Sequence, residues 1–133
     1  KTMKDVKERV WNSLSKYLDE SYKEFVYKKF EGCFDYSPVS TWNIVIAEII
    51  AIMKKREEWN GDVNYEVKQV KNKFGGLRFY VDNNDDFLRG VIKMAEVQCS
   101  KLCNTCGSYG EQKIQTGSFT PKQCTRCFGN TYY

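Results

Sequence analysis

Residues 103–127 read CNTCGSYGEQKIQTGSFTPKQCTRC, which places two CxxC pairs 17 residues apart. Two residues between thiolates allow one tight turn to direct both sulfurs at a single ion, and two such pairs at this separation are typical of a structural zinc site. We therefore predict one structural Zn²⁺ bound by four thiolates. The predicted ligands are Cys103, Cys106, Cys124 and Cys127.

Other uses of paired cysteines fit this pattern less well. Disulfides need an oxidising compartment, which no feature of the sequence indicates. A thioredoxin-type redox pair needs one CxxC at the start of a helix in a βαβ unit. A deaminase-type zinc site keeps one coordination position open, whereas cysteine supplies all four ligands here. The site is therefore predicted to be structural, and the two other cysteines, Cys33 and Cys99, are predicted to pack in the protein.

The segment between the two CxxC pairs is long enough for a short hairpin. We predict its strands over residues 111–115 and 118–123, joined by a turn at Thr116 and Gly117. Gly107 and Gly129 follow the two pairs, where tight turns favour glycine.

A helix and a β-hairpin precede the first CxxC pair. Alternating apolar and polar residues over 63–68 and 77–81 predict two strands, and Gly75-Gly76 predicts positive φ or a bulge at their connection. Residues 86–101 have helical apolar spacing, and the acidic run before them is expected to cap the helix. The predicted buried residues of this helix are Phe87, Leu88, Val91, Ile92, Ala95 and Cys99.

The first half of the chain has the apolar spacing of helices. Residues 3–30 predict one long amphipathic helix or two with a break near 19–21, and residues 31–38 predict a loop. Ser40 or Thr41 is expected to cap a helix that ends near Trp59 and forms the centre of the core, because residues 42–53 are apolar on nearly all sides. The sequence therefore predicts an α+β fold: N-terminal helices packed on a small antiparallel hairpin and a third helix, with a C-terminal Cys₄ zinc ribbon. The expected division is residues 1–101 and a ribbon over 102–133 packed on them.

Composition excludes several classes of function. The 133 residues contain no histidine, which excludes Ser-His-Asp and Cys-His nucleophile systems and a His-ligated catalytic zinc. Phosphate-binding loops, dinucleotide fingerprints and nucleophile elbows are also missing from the sequence. We predict that the protein is not an enzyme. The longest apolar stretch, residues 44–53, is too short to span a membrane, and no signal peptide pattern opens the chain, so we expect a cytoplasmic protein without a membrane partner.

The segment QVKNKFGGLRFYV at 69–81, the following helix and the two CxxC pairs resemble a family of small bacterial and bacteriophage proteins. Members carry a KFGGLRFY-type hairpin followed by a helix and a Cys₄ finger, and the similarity covers roughly residues 63–128. The chain departs from the family at Gln98-Cys99, where a charged pair is expected. The resemblance implies the fold and an origin in a phage or prophage, hence a location in the cytoplasm of a bacterial host.

Two functions follow from these observations. The leading hypothesis is stoichiometric binding and inhibition of a host protein, such as a defence or transcription protein, since aromatic residues make up 15% of the chain and can anchor an interface. The alternative is nucleic-acid binding, because basic residues alternate with aromatic residues on the hairpin and more follow in the ribbon. The candidate binding residues are Lys71, Lys73, Phe74, Arg78, Tyr80, Lys122 and Arg126.

Overall fold

Five helices and a three-stranded sheet form the part of the protein that the computed structural model describes, which is residues 3–110 and 121–132, with side chains for 6–110 and 121–129. The architecture is α+β, as predicted. The helices are α1 (Met3–Leu14), α2 (Lys23–Lys29), α3 (Asn43–Trp59), α4 (Asp86–Ser100) and α5 (Thr125–Tyr132), and the strands are β1 (Asp35–Ser37), β2 (Glu66–Lys73) and β3 (Gly76–Asp82). Within the described ranges, no helix is both long and apolar enough to cross a membrane.

The N-terminal helical region divides into α1 and α2, close to the predicted break. The carboxylate of Asp19 accepts a hydrogen bond from the N–H of Ser21 at 2.9 Å and caps a single 3₁₀ turn, Glu20–Tyr22, before α2. Both helices then bury their apolar faces in the common core. Their fully buried apolar side chains include Val10, Leu14 and Val26.

Helix α3 is the central helix, with Ile46, Ile50 and Met53 fully buried. The expected side-chain cap is wrong: α3 follows directly from a 3₁₀ turn, Ser40–Trp42, and neither turn nor helix has a side-chain cap. The hydroxyl of Thr41 donates instead to the carbonyl oxygen of Cys103, at 2.9 Å. The Thr41 side chain therefore makes a long-range contact in place of the helix cap that the local sequence predicted.

The predicted hairpin is formed by β2 and β3. Its two-residue turn has positive φ at Phe74 (55°) and Gly75 (85°), the geometry of a type I′ turn. The register shifts by one residue between Val67 and Gln69. This bulge lets Val67 and Val70, three positions apart, both face the core. The strand itself begins at Glu66 and ends at Lys73, later than the alternation over 63–68 predicted.

Strand β1 lies within the segment predicted as a loop, and that prediction is wrong. It pairs in parallel with β2, so the strand order is β1-β2-β3. Only Tyr36 of β1 is buried, and its hydroxyl lies 2.6 Å from Oδ1 of Asn43. A strand of three residues with one apolar side chain has no periodicity to detect.

Helix α4 begins after Asp85, whose carboxylate accepts the N–H of Leu88 at 2.9 Å. Four of its predicted core residues are buried, namely Leu88, Ile92, Ala95 and Cys99. Phe87 differs from the prediction, since its side chain is 47% exposed. The guanidinium of Arg56 lies 4.9 Å from its ring centre, a cation–π contact that replaces burial in the core.

A buried ion pair ties α2 to the end of α3. Nζ of Lys29 lies 2.6 Å from a carboxylate oxygen of Glu57 and 2.7 Å from Oδ1 of Asn64. The same Glu57 oxygen accepts the N–H of Tyr65, which precedes β2. One carboxylate therefore fixes three segments of the chain.

Candidate metal centre and binding face

The four predicted ligands lie together, and we call them the cysteine cluster: Cys103, Cys106, Cys124 and Cys127. Their sulfur atoms are all within 4.8 Å of one another, and those of Cys106 and Cys124 are 3.9 Å apart. A tetrahedron with metal–sulfur bonds of about 2.3 Å has edges of about 3.8 Å, so this spacing suits one ion. All six cysteines are free of disulfides. The cluster can hold a metal ion.

The first CxxC pair sits on a tight turn. Gly107 has φ +78° and donates its N–H to the carbonyl of Cys103 at 3.0 Å, while the N–H of Cys103 is bound by the carbonyl of Ser108. The positive φ explains the glycine expected after this pair. The second pair differs, because α5 starts at Thr125, and Gly129 lies within that helix rather than in a turn. The expected turn at Gly129 is therefore wrong.

Hydrogen bonds join the two pairs independently of any ion. The N–H of Asn104 donates to the carbonyl of Lys122 at 2.8 Å, and the N–H of Lys122 donates to Oδ1 of Asn104 at 2.7 Å. The amide of Gln123, which is buried, donates to the hydroxyl of Thr105 at 2.8 Å. The protein thus holds the sulfur pairs face to face.

Donors contact the sulfurs of Cys103 and Cys106, and at Cys106 they favour the ionised form. The N–H of Cys124 donates to the sulfur of Cys103 at 3.3 Å, and the guanidinium of Arg126 lies 3.6 Å from the sulfur of Cys106. The hydroxyl and N–H of Ser108 lower the pKa of Cys106 to about 6. Four thiolates around a divalent ion carry a net charge of −2, which these donors offset.

The cysteine cluster is attached to the N-terminal end of α3. Besides the bond from Thr41 to the carbonyl of Cys103, a Cβ added at Gly107 would lie 3.6 Å from the Thr41 side chain. Leu102 and Cys103 are buried at this contact. The division into residues 1–101 and 102–133 stays a prediction, and most of the hairpin predicted over 111–123 lies outside the described residues.

The remaining two cysteines are buried outside the cluster, as expected for packed side chains. Burial raises the pKa of both thiols, that of Cys99 to about 12. Both are therefore protonated at neutral pH and poor metal ligands.

Four of the candidate binding residues lie on the solvent face of the sheet, and a fifth lies beside it. Lys71 lies directly opposite Arg78, and Tyr80 lies opposite Gln69. We define the solvent face as Asp35, Glu66, Gln69, Lys71, Lys73, Arg78, Tyr80 and Asp82, which the register places together. Phe74 is beside it at the hairpin tip, 64% exposed.

Charge on the solvent face is divided between its two ends. Lys71, Lys73 and Arg78 lie near the turn, whereas Glu66 and Asp82 lie opposite each other at the far end, with Nζ of Lys68 3.7 Å from the carboxylate of Asp82. Tyr80, 43% exposed, lies between them, in line with Gln69 and Asp35, which share a hydrogen bond of 3.1 Å. The face therefore combines a basic end, an aromatic centre and an acidic end.

The other two candidate binding residues belong to the metal centre. The backbone of Lys122 joins the two CxxC pairs, and Arg126 contacts a ligand sulfur. Sequence reasoning missed Asp35, because β1 gave no signal, and it missed Ser108 and Thr41, because their roles depend on contacts made by the fold.

Comparisons with protein-family models, with curated proteins and with solved structures found no match to this chain. The family resemblance of the KFGGLRFY segment therefore stays a prediction.

Proposed function

We propose that this chain is a non-catalytic, zinc-containing protein that acts by stoichiometric binding to another protein. Four thiols spaced along tetrahedral edges suit a single Zn²⁺ or a single iron ion among biological metals. With all four positions supplied by cysteine, the ion has no open position for a substrate, so its role is structural. The ion would hold the two described ligand segments, residues 103–110 and 121–129, together.

The observation that carries the choice of partner is the composition of the solvent face. Its aromatic and arginine side chains are of the types enriched at protein interfaces, and the core does not use them. A nucleic-acid backbone would meet a favourable field at Arg78 but repulsion at Glu66, while Lys68 offsets the charge of Asp82. A protein surface that itself carries both charges can match all of the face.

The family resemblance extends this proposal to biological role. It implies an origin in a phage or prophage, and small phage proteins of this size often act by binding and inhibiting a host defence or transcription protein in the bacterial cytoplasm. A small binding protein can inhibit its target simply by covering the target's functional site.

Elemental mass spectrometry on protein purified without chelators tests the metal. We expect one zinc per chain and no absorption in the visible region. Iron in the protein together with visible absorption would contradict a zinc site.

Affinity capture tests the partner class. The immobilised chain is exposed to bacterial lysate treated with nuclease, and any captured protein is then purified and titrated against the chain. We expect a one-to-one complex that is lost with Arg78→Ala and Tyr80→Ala combined, and kept with Lys16→Ala, an exposed change at the end of α1. A complex that ignores the double variant would place binding on another surface.

Nucleic-acid binding is the second candidate, and the pairing of Lys71 with Arg78 beside the exposed Phe74 favours it. It predicts that affinity for single strands falls steeply with salt, and that each basic residue removed lowers the salt slope by about 1. Affinity that is independent of salt would exclude this candidate.

A further inference from the structure

Helix α3 carries a stripe of exposed and half-buried side chains, and Glu58 is exposed outside it. On a helical projection its members fall within about 100° of one another. Trp59 is 90% exposed and Ile44 48% exposed, and Glu48 and Lys55 are exposed between them. We call this set the α3 stripe: Ile44, Glu48, Ala51, Ile52, Lys55 and Trp59.

The α3 stripe is symmetric about its midpoint. Reading from either end, the successive spacings are four, three, one, three and four residues. An apolar residue stands at each end, a charged residue follows, and Ala51 and Ile52 lie at the centre. The two charges, Glu48 and Lys55, have opposite signs.

We infer that the α3 stripe is the docking surface for a second copy of this chain, with the two α3 helices antiparallel across a two-fold axis. Because a two-fold axis exchanges the two ends of the stripe, each position meets its mirror position in the other copy. Trp59 then packs on Ile44 of the second copy, and Glu48 meets Lys55. The small side chain of Ala51 at the crossing lets the helices approach closely.

Charge complementarity singles out this occupant. In the described part of the chain, Glu48 and Lys55 take part in no ion pair, whereas their neighbours on α3 do: Lys54 with Glu58 and Arg56 with Asp85. The two stripe charges are separated by about 10.5 Å along the helix, since each residue adds 1.5 Å. An antiparallel second copy satisfies both, because it brings its own Lys55 to Glu48 and its own Glu48 to Lys55 at the same spacing.

A groove beside the α3 stripe can take the indole of Trp59 from the second copy. It has a volume of about 540 Å³ and lies between α3 and α4, with Val45, Ile52 and Met94 among its lining residues. Gly90 of α4 also borders it and has open space above its backbone. The indole of the second copy can enter there from the Ile44 end.

Sedimentation velocity over a range of protein concentrations measures the association, with zinc content and circular dichroism as folding checks. Glu48→Lys and Lys55→Glu each place like charges opposite one another twice per dimer. We expect each to weaken the dimer at least about tenfold, and Trp59→Ala to weaken it at least as much. The matched controls Glu24→Lys and Lys16→Glu make the same charge changes at exposed positions off the stripe and should leave association unchanged.

Combining the swaps tests the antiparallel register. Glu48→Lys with Lys55→Glu in one chain restores both pairs and should recover the dimer. Mixing the two single variants should also recover it, as a heterodimer, because each then supplies the charge that the other needs. A chain that stays monomeric at high concentration, or a dimer that the single swaps leave unchanged, would overturn the inference, as would a double variant that remains weakened. None of these variants touches the solvent face, so failure here is distinct from failure of the proposed function.

Discussion

The body of the protein and its metal centre are held together by different forces. The body, residues 6–102, contains a continuous core of apolar side chains contributed by α1 to α4 and the sheet. In the described residues beyond it, 103–110 and 121–129, the buried side chains are Cys103, Gln123 and Cys127. Hydrophobic burial can therefore fold the body, whereas the C-terminal part depends on hydrogen bonds and on the ion that four sulfurs can hold.

Removing the ion should give the largest effect and confine it to one region. A structural zinc site contributes on the order of 10 kcal/mol, which doubles as folding free energy for its ligand loops. We expect Cys124→Ser or a strong chelator to unfold the described ligand segments, residues 103–110 and 121–132, and leave the helical signal of the body largely intact. Limited proteolysis with mass spectrometry locates the new cleavage sites.

The matched control is Cys33→Ser, which changes a fully buried cysteine of the body. It should lower the stability of the body and leave the metal content at one ion per chain. A proteolysis pattern for Cys124→Ser that equals that of the parent would contradict the dependence on metal.

A substitution in the apolar core should destabilise the body, the region that loss of the metal leaves intact. Phe79→Ala removes a ring that is 5% exposed and should cost about 3–5 kcal/mol in free energy of unfolding. Phe34→Ala removes a ring that is 64% exposed and should cost less than about 1 kcal/mol. Urea denaturation measures both. Equal costs would mean that the buried face of β3 does not hold the body together.

The buried ion pair of Lys29 and Glu57 should also contribute to the stability of the body. Lys29→Met leaves the carboxylate, 15% exposed, without its cation, and should cost about 3 kcal/mol. Adding Glu57→Gln removes the stranded charge and should recover part of that loss. A double-mutant cycle in urea gives the coupling. Absence of coupling would show that solvent already screens the pair.

A smaller, pH-dependent effect is expected at Asp85. Burial opposes its ionisation, but the N–H of Leu88, the hydroxyl of Tyr65 and the guanidinium of Arg56 outweigh burial and hold its pKa below the ordinary value of 3.8. The stabilisation is therefore present above about pH 4 and is lost as pH falls through the lower, folded-state pKa. Asp85→Asn should cost about 0.5–1 kcal/mol at pH 7, a cost that fades on acidification. Paired urea curves at several pH values check this, and a cost independent of pH would contradict it.

Sequence pattern predicted the features that depend on near neighbours. The cysteine spacing, the hairpin and the buried face of α4 are of this kind, since a periodicity or a short motif contains the relevant contacts. Strand β1 depends on pairing with β2 more than 30 positions along the chain, and the Phe87 side chain depends on Arg56 of another helix. The α3 stripe was hidden by the apolar character of the whole helix. The stripe and its two charges can be recognised only once the structure shows which faces of α3 are buried.

A substitution at the hairpin tip should change stability only slightly, and it tests directly whether the tip contacts the target. Phe74 adopts φ 55° in a type I′ turn, where asparagine before glycine is favoured and a bulky side chain is strained. Asn72 accepts the N–H of Gly75 at 2.9 Å and keeps the turn in place when its neighbour is changed. We therefore expect Phe74→Asn to raise the free energy of unfolding by about 0.5–1 kcal/mol.

Residues with a strained backbone are concentrated at functional sites. Phe74 is an exposed phenylalanine at a turn position that favours asparagine, so we expect its side chain to contact the target. If the tip contacts the target, Phe74→Asn should weaken the one-to-one complex while it stabilises the free chain. Phe34→Asn is the control, because it removes an equally exposed ring outside the turn and should give neither change. A variant that is more stable and binds as well as the parent would remove Phe74 from the interface and leave Arg78 and Tyr80 as its remaining anchors on the sheet.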